Sequence, residues 1–296
     1  MRWLILGAGG QVGRACCRQA AAAKIDTVTY SREDLDLRDD AEIARVLATG
    51  AFDLVVNAAA YTAVDLAESE PEIAYSINAE APGRLAQLCR EEHLPLIHFS
   101  TDYVFDGERA AAYEEEDDLR PLSVYGKTKA AGEAAVRTAL PQHIILRTSW
   151  VFSPWGRNFV TTMLRLAGER SALAVVADQR GGPTSAAYLA SAVGSVAAQL
   201  RADGAPTWGT YHLSGAPPAS WYDFAVAIFE EWATLTGAAV PRVTAIGTAD
   251  YPTPAHRPAN AVLDCRRIAA AFGIAPGDWR RDLRSVLQEI MKEGGP

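Results

Sequence analysis

The chain has 296 residues and a formal net charge of -8, length enough for one large or two moderate domains. That acidity argues against nucleic acid as the main partner, and no apolar run approaches the roughly 20 residues that a membrane span needs. Cys16, Cys17, Cys89 and Cys265 show no zinc-type spacing, so no metal site is expected. With an N-terminal segment lacking a signal-peptide pattern, this sets the expectation of a protein in a reducing cytoplasm.

Short apolar runs alternate with helical stretches from the start. Trp3 to Leu6 reads as a strand, Gln11 to Ala23 as an Ala-rich helix, and Thr27 to Tyr30 as a second strand. Ala41 to Ala48 reads as a helix, Leu54 to Val56 as the third strand, Ile73 to Glu92 as one long helix, and Pro95 to Phe99 as the fourth strand. Val124 to Ala139 is a helix and Ile144 to Arg147 the fifth strand. Uninterrupted apolar strands between helices predict an α/β fold with a doubly wound parallel sheet, both faces covered.

Beyond Trp150 the alternation weakens. Helices are expected over Asn158 to Gly168, Ala186 to Arg201, Trp221 to Leu235 and Arg280 to Met291, with strands at Ala172 to Val176 and Trp208 to Leu213. The expected division is a dinucleotide-binding domain over 1–150 and a smaller C-terminal substrate lobe over 151–296. The helix near 186–201 is expected to rejoin the first domain.

The turn after the first strand reads Gly7-Ala-Gly9-Gly10-Gln11-Val12-Gly13. Gly7 permits a tight turn, Gly10 lets backbone approach a pyrophosphate, and Gly13 lets the helix pack on the sheet. The free N–H groups of that helix suit phosphates. After the second strand, Ser31 and Arg32 suit a 2′-phosphate, which points to NADPH, with NADH as the second option because Glu33 and Asp34 follow at once. Asp36 and Leu37 are candidates for an adenine contact. Asn57 is followed by Ala58, Ala59, Ala60 and Tyr61; small residues at a strand's carboxyl end leave room for a ligand, or else mark a tightly packed junction.

Tyr125 and Lys129 stand four apart, on one face of their helix. An ammonium near a phenol lowers its pKa toward the working range, so the pair can move a proton to or from an alcohol or ketone. The same spacing also describes a solvated helix face. Arg257, in Ala-His-Arg-Pro, suits a phosphate fork or a structural salt bridge. The acidic run from Glu114 to Asp118 is expected to be a solvated loop.

A hydroxyl-bearing strand end, Ser100-Thr101-Asp102-Tyr103, followed by Tyr125 and Lys129 on the next long helix, resembles the extended short-chain dehydrogenase/reductase superfamily with its Rossmann sheet. Asn57-Ala-Ala-Ala-Tyr-Thr-Ala-Val-Asp65, Ser100-Thr-Asp-Tyr-Val-Phe-Asp-Gly107, Arg147-Thr-Ser-Trp150, Asp178-Gln-Arg-Gly-Gly-Pro-Thr184 and Tyr251-Pro-Thr-Pro-Ala-His-Arg257-Pro258 are similar to the dTDP-4-dehydrorhamnose reductases. The resemblance implies hydride transfer to C4 of dTDP-4-dehydro-L-rhamnose, giving dTDP-L-rhamnose. It implies Tyr125 as proton donor, Lys129 on the nicotinamide ribose, Thr101 on the keto oxygen, and Asp102, Tyr103 and Trp150 on the sugar nucleotide. The related dehydratases carry Asp-Glu after the Thr; Tyr103 in place of that Glu favours plain reduction. The other readings are a different ketoreductase or epimerase of sugar nucleotides, and a non-catalytic nucleotide-binding regulatory subunit. Some family members resemble a dimer with magnesium held by glutamates. The matching position is Ala15, and the helix around Ala186 to Ala190 also lacks a glutamate, so no such metal is expected and either a monomer or a homodimer with another interface fits.

Overall fold

The computed structural model describes residues 1–200 and 207–294. Strands Arg2–Leu6, Asp26–Tyr30, Leu54–Asn57, Leu96–Thr101, His143–Thr148 and Gly209–His212 form one sheet, every neighbouring pair parallel. The first strand sits between the second and the third, and the fourth, fifth and sixth follow outward in order. The chain thus reverses direction across the sheet at the first strand, and this switch opens a crevice at the carboxyl ends of the first and third strands.

The period of two in a strand explains both faces. Trp3, Ile5, Leu54, Val56, Ile97, Phe99, Ile144 and Leu146 point to one core, with residues of the helices Gln11–Ala22, Ala186–Leu200 and Arg266–Phe272. Leu4, Leu6, Val55, Leu96 and Ile145 point to the other, beneath the helices Asp40–Gly50, Ala81–Glu91 and Val124–Ala139. A third core gathers Phe152, Leu173 and Val175 with the helices Phe159–Glu169, Trp221–Thr236 and Trp279–Lys292. The strand Ala172–Val176 pairs in parallel with Arg242–Ile246.

The structure differs from the sequence reading in several places. The helix predicted over Ile73 to Glu92 is Pro71–Tyr75, a π-helical turn Ser76–Glu80, and Ala81–Glu91. Pro82 lacks an N–H, and in a regular α-helix its ring would clash with the Asn78 carbonyl; the wider turn makes room for it. The strand Gly209–His212, left with the smaller lobe by the sequence reading, forms the outer strand of the main sheet, beside His143–Thr148. The strand Arg242–Ile246 was not anticipated because it is mostly exposed and lacks an apolar run. The helix Arg266–Phe272 has only 7 residues, too few for a periodic signal. Arg201, the expected end of its helix, lies outside the described residues. Among the described residues, no helix is long and apolar enough to cross a membrane.

Candidate active site

The crevice is built by glycines and alanines. A Cβ on Gly7 would lie 2.6 Å from the Ala59 nitrogen, and one on Gly13 would lie 2.1 Å from the Gly7 oxygen. Gly7 also has φ +80, a left-handed conformation that favours glycine. The turn therefore packs against the Ala58–Ala60 loop and under the helix at once. Gly9 and Gly10 are exposed at the helix start, which has no side-chain cap. The first-turn amides remain open to an anion, as a pyrophosphate requires. Gln11 and Val12 are half-buried, and the Ser153 hydroxyl donates to Gln11 Oε1 at 2.8 Å.

At the second strand's end, the Ser31 hydroxyl lies 2.8 Å from Glu33 and 2.7 Å from Asp34 carboxylate oxygens. Arg32 is exposed and makes no ion pair among the described residues. Asp36 is bound by Arg38 at 2.6 Å, whose hydrogen bonds hold its pKa down to about 2. Leu37 is buried in the core beneath the sheet. It packs there with Leu35 and Ile43.

The helix Val124–Ala139 starts at Ser123, whose hydroxyl accepts from the Gly126 N–H at 3.1 Å. Gly126 lets this helix touch the strand-end turn: its Cβ would lie 2.2 Å from the Tyr103 oxygen. Gly132 meets the Asn78 carbonyl of the π-turn just as closely, at 2.1 Å. The Asn78 side chain then clamps Tyr61, accepting from its N–H at 2.9 Å and donating to its carbonyl at 3.0 Å. It also reaches Thr128 Oγ1 at 3.1 Å. A π-turn at a site is a common device for re-aiming such groups.

These contacts bring Thr101, Asp102, Tyr103, Tyr125 and Lys129 to the end of the fourth strand. The Tyr103 and Tyr125 rings meet edge to face, 5.6 Å between centroids. Burial pushes the Tyr125 hydroxyl up to about 12, with Thr101 beside it pulling the other way and Asp102 adding to the rise. Lys129 Nζ donates to the Phe99 carbonyl at 2.7 Å and faces His98 Nε2 at 3.4 Å. Burial pushes Lys129 down to about 8, against the pull of Glu133.

The Thr101 hydroxyl donates to Asp102 Oδ1 at 2.8 Å and accepts from the Tyr103 N–H at 3.2 Å. A hydroxyl has one proton, so in this arrangement Thr101 faces Tyr125 as an acceptor rather than as the expected donor to a carbonyl. Asp102 is buried, its Oδ2 has no partner among the described residues, and burial lifts its pKa to about 7. A buried, unpaired carboxyl oxygen is costly unless something else satisfies it.

Trp150 and Arg257 come from later in the chain. Trp150 has φ +47, strained for a bulky residue. It stacks on Trp221 at 3.5 Å between centroids and 9°. Arg257 binds Asp65 at 2.7 Å and lies beside the Tyr103 hydroxyl. It also borders a cleft lined by Phe159, Met163, Gln179, Trp221 and Tyr251.

A family model described as the RmlD substrate binding domain matches residues 1–292. The dTDP-4-dehydrorhamnose reductase of Aggregatibacter actinomycetemcomitans is 45% identical over 287 residues, spanning 96% of this chain and 98% of that protein. The chain belongs to the dTDP-4-dehydrorhamnose reductase family. It is an oxidoreductase by that membership. The crystal structure of a dTDP-4-dehydrorhamnose reductase from Clostridium acetobutylicum, 35% identical, superposes with a TM-score of 0.91 over 98% of this chain and 100% of that one. The Bacillus anthracis enzyme of the same name, solved in complex with NADP, is 31% identical with a TM-score of 0.89 over 97% of this chain and 99% of that one.

Within this reductase, several site groups escaped the sequence reading. Asn57, Asn78, His98 and Glu133 are fully buried polar side chains. Glu133 takes Arg147 at 2.8 Å and the Ser100 hydroxyl at 2.6 Å. Only burial marks them, and sequence carries burial poorly for polar residues. The acidic run is less solvated than expected: Glu115 accepts from the His212 N–H at 2.9 Å. Ala15 is buried on the first helix, and among the described residues no cluster of three or more His, Cys, Asp or Glu side chains is placed to hold a metal ion.

Proposed function

We propose that this reductase converts dTDP-4-dehydro-L-rhamnose to dTDP-L-rhamnose with NADPH, NADH being the second option, and that Tyr125 is the proton donor. The observation that carries the reading is the half-buried Tyr125 beside the buried Thr101 and Asp102 at the strand end, in a chain of this family. The residues present fit a dinucleotide: glycines cradle the turn and the helix start is uncapped. Gly7, Gly10, Gln11, Val12, Gly13 and the Ala58–Tyr61 loop would hold its phosphates and nicotinamide half, and Ser31, Arg32 and Asp36 its adenosine end. The bound cofactor supplies the hydride.

The remaining steps belong to the protein. A ketone gaining hydride becomes an alkoxide, and the group beside it must hold a proton to give. Burial keeps Tyr125 protonated at neutral pH, the correct form for reduction. Its proton passes to the C4 oxygen, and Lys129, when charged, favours the phenolate left behind. Asp102 Oδ2 takes a sugar hydroxyl and so gains the partner it lacks; when Asp102 is protonated instead, Thr101 regains its own proton to offer. In this reading Arg257 takes the diphosphate as well as its Asp65 partner, and Trp150 walls the sugar. The division into a dinucleotide domain and a C-terminal substrate lobe, a monomeric or homodimeric state and a cytoplasmic setting belong to the same reading.

The test is NADPH oxidation with dTDP-4-dehydrorhamnose, product stereochemistry read by NMR. Tyr125→Phe is expected to lower kcat by about 100- to 10,000-fold with NADPH affinity kept. Unchanged turnover in that variant would remove Tyr125 from the mechanism, and a better rate with another 4-keto sugar nucleotide would replace the substrate.

A further inference from the structure

Asn57 and His98 stand opposite each other at the last paired position of the third and fourth strands, both fully buried. Their hydrogen bonds have a fixed direction. The Ala59 N–H can only donate, and it donates to Asn57 Oδ1 at 3.0 Å. The Asn57 amide nitrogen is therefore the atom facing His98 Nδ1 at 3.2 Å. An amide nitrogen accepts nothing, so Nδ1 is the acceptor and the neutral imidazole carries its proton on Nε2. That Nε2–H points at Lys129 Nζ, 3.4 Å away. An ammonium offers only donors, whereas an amine has a lone pair to receive the proton.

Resting on the reductase reading above, we infer that His98 is a positioning residue: its Nε2–H biases Lys129 toward the amine form and, through Asn57, ties the lysine to the Ala58–Ala60 loop. Burial acts in the same direction, pushing Lys129 down to about 8. His98 itself is held neutral, well below its ordinary value, by burial first and then by Lys129 and His143. The other charges near the pair are Glu133 on the lysine's own helix, which favours the ammonium, and Arg147 and Arg137, both bound to that same carboxylate. Lys129 has two N–H groups as an amine. One goes to the Phe99 carbonyl, leaving the other for a ligand hydroxyl.

The assistance that a charged Lys129 gives to Tyr125 is lost as pH rises through the lysine's pKa. His98 thus sets where the alkaline limb of kcat/KM falls. In His98→Gln a side-chain oxygen can accept from Lys129, the ammonium is favoured, and the limb is expected to move up by about one pH unit. A limb that stays or moves down overturns the inference. The second measurement needs no turnover: long-range 1H–15N spectra of the wild-type protein with labelled histidine. His98 is expected as the Nε2–H tautomer at neutral pH; an Nδ1–H tautomer or an imidazolium overturns the inference. The signal is assigned by its loss in His98→Gln or, should that variant not fold, by elimination against single variants of the other histidines. A failed tautomer test speaks against His98 alone, while a wild-type protein inactive on every 4-keto sugar nucleotide speaks against the reductase reading.

Discussion

Glu133 shows what a single buried charge does here. It has no exposed surface and binds Arg147, Arg137 and Ser100. Burial pushes its carboxyl up, but the hydrogen bonds and the Arg147 charge outweigh that and hold it below its ordinary value. A carboxyl depressed in the folded state contributes stability that is present above its unfolded pKa and lost as pH falls through the folded one. Glu133→Gln leaves Arg147 buried without its charge partner, and is expected to cost about 3–5 kcal/mol in urea unfolding at pH 7. The loss should shrink in acid, since the wild-type protein then protonates Glu133 too. A cost unchanged between pH 7 and pH 3 would mean that Glu133 is not the ionised partner. That Tyr125 and Lys129 share a face was legible at this scale from their spacing, because a helix fixes which residues share a face, but the same spacing also describes a solvated face. Their protonation was not legible: burial is the first cause of the shift at both groups, and burial is a property of the packed whole.

At the scale of elements, the helix carrying Tyr125 is held by close backbone approaches rather than by large side chains. Gly126 meets the Tyr103 carbonyl and Gly132 the Asn78 carbonyl. Gly132→Ala therefore presses a methyl group into a fixed backbone atom, and is expected to destabilise by about 1–3 kcal/mol. The same change should loosen the Asn78 clamp on Tyr61, so thermal unfolding and cofactor titration should weaken together. A variant with an unshifted Tm would show that the π-turn yields freely. The helix itself was predicted with its observed bounds, Val124–Ala139, and Ser123 caps its start. The π-turn was not: a proline such as Pro82 announces a disturbance but not which neighbour receives the displaced carbonyl.

At the scale of the whole molecule, the site is assembled from distant stretches. Trp150 follows the fifth strand, and Trp221, which opens a helix of the third core, stacks on it. If Trp150 walls the sugar, Trp221→Ala frees its indole and should raise KM for the sugar nucleotide about tenfold, a loss of ~1.4 kcal/mol, while NADPH affinity is unchanged. Equal losses for both ligands would instead indicate a general disturbance of the fold.

The sequence by itself determined the doubly wound sheet, the glycine turn, the helix with Tyr125 and Lys129, and the strand end at Thr101. These follow from period and turn chemistry, which act over a few residues. Only the tertiary structure decided that Gly209–His212 joins the main sheet, that Leu37 turns inward, that the Thr101 hydroxyl donates its hydrogen bond to Asp102, and that His98 faces Lys129. Each of those depends on which distant backbone edge or polar atom remains unpaired after folding, and on how far water is excluded from it, and neither quantity is written in any local stretch of the chain.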